Sequence, residues 1–345
     1  MQLTTNSRVA ILLQGGIKGH HGKTGLAFLR YSQTKMVAVI DSEAEGESLV
    51  GLTKIERNVP IVKNVQAALT YQPEILLIGI APSGGKLPSD LLAEIAIAVK
   101  AGLSIVNGLH TSLNHRFPNL RSGQKIWDIR QEPAGLKIGT GKARSLWAQR
   151  ILTVGTDMAI GKMSTSLELH RAALAQGIKA QFIATGQAGI AISGQGIALD
   201  AVRVDFAAGA VEKTLLEQAT EQDLVIIEGQ GSLLHPGSTA TLPLIRGSQP
   251  TGLVLVHRAG AKHIRDLPNF LIPPLSEVIQ LYETVASAGG TFGEVKVKAI
   301  ALNTLGMNHN QAEAVIKSTA ESTGLPCSDV VRYGAASLLP AVYAK

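Results

Sequence analysis

Cysteine is nearly missing from this 345-residue chain, in which Cys327 stands alone. One thiol excludes an intramolecular disulfide and a cysteine-based metal site, and it fits a reducing compartment, so a cytoplasmic location is expected. Aromatic residues make up only 4%, and they are not interleaved with basic ones, which excludes a stacking platform for single-stranded nucleic acid. Charge is sparse as well: charged residues total 17%, the net charge is +6, and no Lys/Arg block forms a nucleic-acid arm. No apolar run approaches the roughly 18 residues of a membrane span. The short run Val9–Leu13 ends at Gln14 and two glycines, without the pattern of a signal peptide. Neither nucleic acid nor membrane is therefore expected as a partner, and the mild positive balance favours a small anionic ligand.

Against these absences stand 45% hydrophobic residues and 36 glycines. Such a chain can bury two sizeable cores and has many tight turns, and its apolar character favours a homo-oligomer. Near-continuous apolar runs alternate with helical stretches. Arg8–Leu13, Met36–Ile40, Glu74–Ile80 and Leu103–Val106 read as strands, with helices over 26–33, Val65–Thr70 and Pro88–Ala101. Fully apolar strands in this rhythm predict a parallel sheet covered on both faces. The expected organisation is a Rossmann-like domain over 1–130, a connector over 131–150 and a P-loop NTPase-like doubly wound domain over 151–345. In the second domain strands are predicted at Ile151–Val154, Ala180–Thr185, Leu224–Glu228, Gly252–His257, Val297–Asn303 and Val330–Arg332. Helices are predicted at Gly161–Gln176, Phe206–Glu217 and Gln311–Ser322, with a glycine-rich loop over Gly186–Gly196.

The segment Gly155-Thr-Asp-Met-Ala-Ile-Gly-Lys162 joins a strand to a helix. Glycines let successive backbone N–H groups face one anion, the helix N-terminus adds partial positive charge, and Lys162 adds a full one. The segment departs from G-x-x-x-x-G-K-[ST] twice. Five residues separate Gly155 from Gly161, so Thr156 takes the first-glycine place. Met163 follows the lysine where a magnesium-ligating hydroxyl is expected, and Ser164 lies one helical step further on. Gly155, Thr156, Asp157, Gly161, Lys162, Met163 and Ser164 are thus the expected phosphate-binding residues, in a loop poorly suited to Mg²⁺-dependent NTP hydrolysis.

The strand LVIIEGQG ends in Glu228, an acid at the carboxyl edge of the sheet: a candidate general base, or a strand-end acid capping a loop amide. His235 is the second candidate base. In the first domain Gly15–Thr24 repeats the five-residue gap and ends in Gly22-Lys23-Thr24. Lys23 and Thr24 belong either to a second anion site or to a plain Rossmann-like turn. The paired His20 and His21 lack a carboxylate partner, so no metal is expected. Ala81–Lys86 opens another helix and either faces an anion or forms an ordinary βα turn. Gln187, expected over the phosphate loop, and Arg246, His257 and Arg258, expected at the ends of the later strands, are candidates for holding a carboxylate or phosphates.

Four motifs in order, GTDMAIGKMSTSLEL, IATGQAGIAISGQG, IIEGQGSLLHPG and LIRGSQPTGLVLVH, resemble a bacterial P-loop family known as a domain of unknown function. GIAPSGGKLP and NGLH extend the resemblance over nearly the whole chain. It implies D-glutamate N-acetyltransferase activity with acetyl-CoA as donor. The second domain is also similar to dethiobiotin synthetase, whose loop shares the GTD-x-x-x-GK spacing; there a threonine follows the lysine, here Met163. That departure favours acetyl-CoA over ATP or GTP with Mg as the ligand, because CoA brings phosphates without phosphoryl transfer. An ATP- or GTP-dependent ligase or kinase is the alternative, and a nucleotide-binding regulator without turnover the third reading.

Overall fold

The computed structural model describes residues 1, 3–19, 21–81 and 87–344. His20 and most of the Ala81–Lys86 turn lie outside the described residues. The chain forms two compact units, 1–132 with 187–201, and 133–186 with 202–345.

The first unit carries β1 (Arg8–Leu12), β2 (Lys35–Ile40), β3 (Ile61–Val62), β4 (Ile75–Ile78), β5 (Ser104–Asn107) and β6 (Ile126–Asp128), all parallel, in the order β3-β2-β1-β4-β5-β6. This is the Rossmann strand order, with its switch point between β1 and β4. Ile11, Leu12, Leu76 and Ile105 are fully sealed, as strands covered on both faces require. The helices are α1 (Lys23–Tyr31), α2 (Leu49–Thr53), α3 (Val65–Ala68) and α4 (Ser89–Ala101). Gly102 ends α4 in the left-handed conformation, φ +97°, which a side chain resists.

The second unit carries β7 (Gln149–Gly155), β8 (Ala180–Ile183), β9 (Leu224–Ile227), β10 (Gly252–Arg258), β13 (Val297–Asn303) and β14 (Cys327–Ser328), parallel in the order β14-β13-β10-β7-β9-β8. A small antiparallel hairpin, β11 (His263–Ile264) and β12 (Leu267–Leu271), follows β10. α5 (Lys162–Ala175), α7 (Val204–Gln218), α8 (Thr241–Ser248), α9 (Leu275–Ser287), α10 (His309–Thr323), α11 (Val330–Tyr333) and α12 (Leu339–Val342) belong to the same unit; α6 (Gln187–Ser193) does not. Leu169 and Ala173 of α5 pack with Ile151, Ile226, Val254 and Ala299 in one core. Asn308 and Gln311 close a reciprocal capping box at α10.

Four expectations need correction. The Gly186–Gly196 loop holds helix α6, whose Ile190 and Ala191 are buried and which packs on α1, so residues 187–201 leave the second unit for the first. Val330–Arg332 is helical: Asp329 accepts hydrogen bonds from the amides of Val331 and Arg332, and this cap overrides the β preference of two valines. From Pro133 onward the supposed connector is fixed to the second unit, because Glu212 of α7 accepts from the amides of Thr140 and Lys142. A Cβ on Gly209 would lie 1.8 Å from the Lys137 carbonyl oxygen, so the stretch lies directly on the helix backbone. Arg246 does not end a strand; it lies exposed in the last turn of α8.

Candidate functional site

β7 delivers the chain into the loop Thr156–Gly161, and α5 begins at Lys162. Ala159 has φ +54° and Gly161 φ +120°. A left-handed alanine costs roughly 1–2 kcal/mol, and the loop keeps it because both ends are fixed by β7 and α5. Asp157 secures the loop from inside. Its Oδ1 accepts from the Met158 amide and its Oδ2 from the Arg265 amide at 2.8 Å, which ties the β11–β12 hairpin to the loop. Asn303 at the end of β13 donates to the Ile160 carbonyl. Among the described residues, the amides of Asp157, Ala159, Ile160 and Gly161 have no acceptor within the protein. Free loop amides before a helix N-terminus can hold an anion.

The Lys162 side chain is buried, and its Nζ donates to the Asp157 carbonyl at 2.7 Å. Its stem passes two glycines: a Cβ on Gly155 would sit 3.3 Å from Lys162 Cδ, and one on Gly229 3.1 Å from it. On Gly229 the same Cβ would also lie 1.7 Å from the Thr153 carbonyl oxygen. Glycine at both positions therefore makes room for the lysine. Burial pulls the Lys162 ammonium down to about 8, against the opposing pull of Asp157 and Glu228.

Glu228 follows β9 and is buried. Its Oε2 accepts from the amides of Thr185 and Gly186 at 2.9 and 3.2 Å, and its Oε1 accepts from Gln230 Nε2 at 3.1 Å. Burial pushes its carboxyl up to about 7; the two amides and the Lys162 charge act in the opposite direction. The structure thus places an acid that shares its proton at neutral pH within the electrostatic field of the loop lysine. Thr153, fully buried in β7, accepts from the Gly229 amide at 2.9 Å and shares a hydrogen bond with Ser166 of α5, which locks the loop after β9 to the phosphate-loop helix.

Sequence reasoning missed Tyr282. This fully buried phenol on α9 donates to the Gly155 carbonyl at 2.7 Å and accepts from the Leu233 amide at 3.0 Å, so it joins the end of β7 to the loop after Glu228. No local motif signals it; it was recognisable only as one of five tyrosines in an aromatic-poor chain. His257 lies under the loop, with Nδ1 2.9 Å from Thr156 Oγ1, and burial lowers it to about 4, so it is neutral at pH 7. Met163 and Ser164 are half-buried in the first turn of α5. His235 is half-buried in a turn where its Nδ1 accepts from the Gly237 amide.

Arg258 is exposed at the end of β10, whereas Lys23, Thr24 and Gln187 belong to the first unit. Asp41, at the end of β2, accepts from the amides of Gly15, Ile17 and Glu43. The first half of the Gly15–Thr24 loop is therefore closed around an acid of its own. Lys23 is exposed and Thr24 buried in the first turn of α1, and Gln187 reaches Thr24 Oγ1 at 3.4 Å. Gln187 thus groups with Thr24 in this unit and is not part of the phosphate loop's own domain. Among the described residues, no cluster of three or more His, Cys, Asp or Glu side chains could hold a metal, and no helix is long and apolar enough to cross a membrane.

A Rossmann-like unit and a second unit whose central strand feeds a phosphate loop together define a two-domain α/β protein of the P-loop class. The DUF1611 models, a Rossmann-like N-terminal domain and a P-loop C-terminal domain of unknown function, match residues 42–132 and 137–339, and the chain belongs to this family. It is similar to two proteins named D-glutamate N-acetyltransferase. One, from Pseudoalteromonas sp., is 39% identical over 268 residues, 76% of this chain and 79% of that protein. The other, from Tritonibacter scottomollicae, is 36% identical over 275 residues, 78% and 81% respectively. The crystal structure of a DUF1611 family protein from Anabaena variabilis, 60% identical, superposes with a TM-score of 0.95 and covers 98% of this chain and 99% of that one.

Proposed function

We propose that this protein transfers the acetyl group of acetyl-CoA to the amino nitrogen of an acidic amino acid, D-glutamate by likeness to the named relatives. The observation that carries this reading is the pairing of a phosphate loop whose lysine is followed by Met163 with a buried acid, Glu228, drawn to about 7. The free loop amides and the Lys162 ammonium are the donors a pyrophosphate needs, so the CoA phosphates fit them. Acetyl-CoA supplies the activated acyl group. Glu228 is the first candidate to take a proton from the substrate ammonium: its Oε2 is held by two amides, while Oε1 has one partner and a free lone pair. The freed amine forms the C–N bond as the C–S bond breaks, and the sulfur leaves with a proton. His235 is the second candidate base, through the nitrogen not engaged by Gly237.

The test is CoA release from acetyl-CoA with D-glutamate as acceptor, in wild type and Lys162→Ala, with EDTA and with Mg²⁺. Transfer that is indifferent to EDTA and lost in the variant is expected. Magnesium-dependent nucleotide turnover that is lost in Lys162→Ala, without acetyl transfer, would overturn the reading in favour of a ligase or kinase.

A further inference from the structure

A cavity of about 270 Å³ lies within the second unit, on the β10 side of the phosphate loop. One wall is Thr156–Ile160 itself, and the other runs from Arg258 to Ala261 and on to His263, Arg265 and Ile272. The sheet order β10-β7-β9 sets this cavity on one flank of the loop and Glu228 on the other. A ligand with its pyrophosphate in the loop and its thioester at Glu228 must place its opposite end on the β10 flank. In CoA that end is an adenine ring and a ribose 3′-phosphate.

We propose, resting on the acetyl-CoA reading above, that this cavity takes the adenosine 3′-phosphate end of CoA and that Arg258 and Arg265 hold the 3′-phosphate. Met158, Ile160 and Ile272 offer apolar walls for a flat base. Arg258 has no acidic partner among the described residues. Among the described residues Arg265 pairs only with Asp266, whose side chain is 85% exposed, and an exposed ion pair of this kind is readily exchanged for a phosphate. Asp157, the carboxylate of the loop wall, is already committed to two amides, one of them that of Arg265 itself, so the Arg265 backbone is held beside the loop before any ligand arrives. The volume falls below the roughly 300–1,000 Å³ of sites that enclose a drug-sized ligand, so it suits one end of CoA rather than the whole molecule. A 3′-phosphate subsite also separates CoA from ATP, which has none.

The experiment measures binding of CoA, 3′-dephospho-CoA and adenosine 3′,5′-bisphosphate to the full chain by calorimetry, in wild type, Arg258→Gln, Arg265→Gln and the double variant. Wild type is expected to prefer CoA over 3′-dephospho-CoA by about tenfold to a hundredfold, the range of charge-assisted hydrogen bonds. The preference should shrink in each single variant and vanish in the double one, while affinity for 3′-dephospho-CoA, which also reports intact folding, changes by no more than about twofold. Equal wild-type affinity for the two forms, or a preference that survives in the double variant, overturns the assignment. Acetyl transfer without 3′-phosphate preference sinks this subsite and leaves the transferase. Arginine-dependent binding of adenosine 3′,5′-bisphosphate without any acetyl transfer keeps the subsite and sinks the transferase.

Discussion

Replacing Glu228 with glutamine separates the cost of burying this acid from its use. The carboxyl ionises near 4.5 in the unfolded chain and at about 7 in the folded one. Below pH 4.5 both states hold the proton and the group contributes no pH dependence. Between 4.5 and 7 the folded protein keeps a proton that the unfolded chain has released, so stability is lost across this window and stays low above it. A displacement of this size corresponds to about 3 kcal/mol. Lys162 acts at the other end of the scale. Its folded ammonium loses its proton from about 8, so the stability withheld by burying that charge returns as pH rises from about 8 toward its ordinary 10.5. Burial lowers His257 to about 4, so this group adds stability as pH rises from about 4 to its ordinary 6.5 and offsets most of the Glu228 loss there; the Glu228 contribution is therefore read from the difference between wild type and variant.

Glu228→Gln removes the acid's share of this pH dependence. The glutamine carbonyl can accept from the Thr185 and Gly186 amides, and Gln230 can turn its own carbonyl toward the new amide. Relative to wild type, the variant should gain stability between pH 5 and pH 8. For a unit of this size about 3 kcal/mol is a relative gain of about 6 to 12 °C in Tm. Its acetyl-transfer kcat should fall by about 10²–10⁴-fold, the range for loss of a general base. Thermal melts from pH 4.5 to 8.5 with matched activity assays decide the matter. A difference in Tm that is flat across pH refutes the buried-acid account, and an unchanged kcat removes Glu228 as the base and moves the role to His235.

Lys162→Ala should weaken CoA binding by about tenfold to a hundredfold, the value of a charged hydrogen-bond partner, as read by calorimetry. Tyr282→Phe leaves the buried Gly155 carbonyl and Leu233 amide without their partner; a stability loss of about 1–3 kcal/mol is expected, and an unchanged melting point would show that water replaces the phenol. Gly229→Ala drives a methyl into the Thr153 carbonyl and against the Lys162 stem, so it should destabilise by about 3 kcal/mol or more, and soluble protein melting within about 2 °C of wild type would contradict the packing described.

What could be read from the sequence divides by the distance between partners along the chain. The phosphate loop was legible because strand, glycines, lysine and helix are contiguous, and Met163 could be judged against the lysine beside it. At Val330–Arg332 two adjacent signals conflict: Val330 and Val331 favour a strand, while Asp329 caps a helix, and the cap prevails. The amides of Gly15 and Ile17 could not be assigned, because the carboxylate that takes them lies on Asp41, 26 and 24 residues away on the neighbouring strand. Gln187 follows the same logic: its helix buries Ile190 in the first unit, and no local pattern says which core a short apolar face will join. Tyr282 reaches Gly155 across 127 residues. The loop that holds charge is thus written locally, whereas the groups that tune it, Tyr282 beneath the strand end and Glu228 across the sheet, act through packing that only the fold creates. Substitutions at Tyr282 and Glu228 should consequently shift the pH profile and melting behaviour of a loop whose own sequence is untouched.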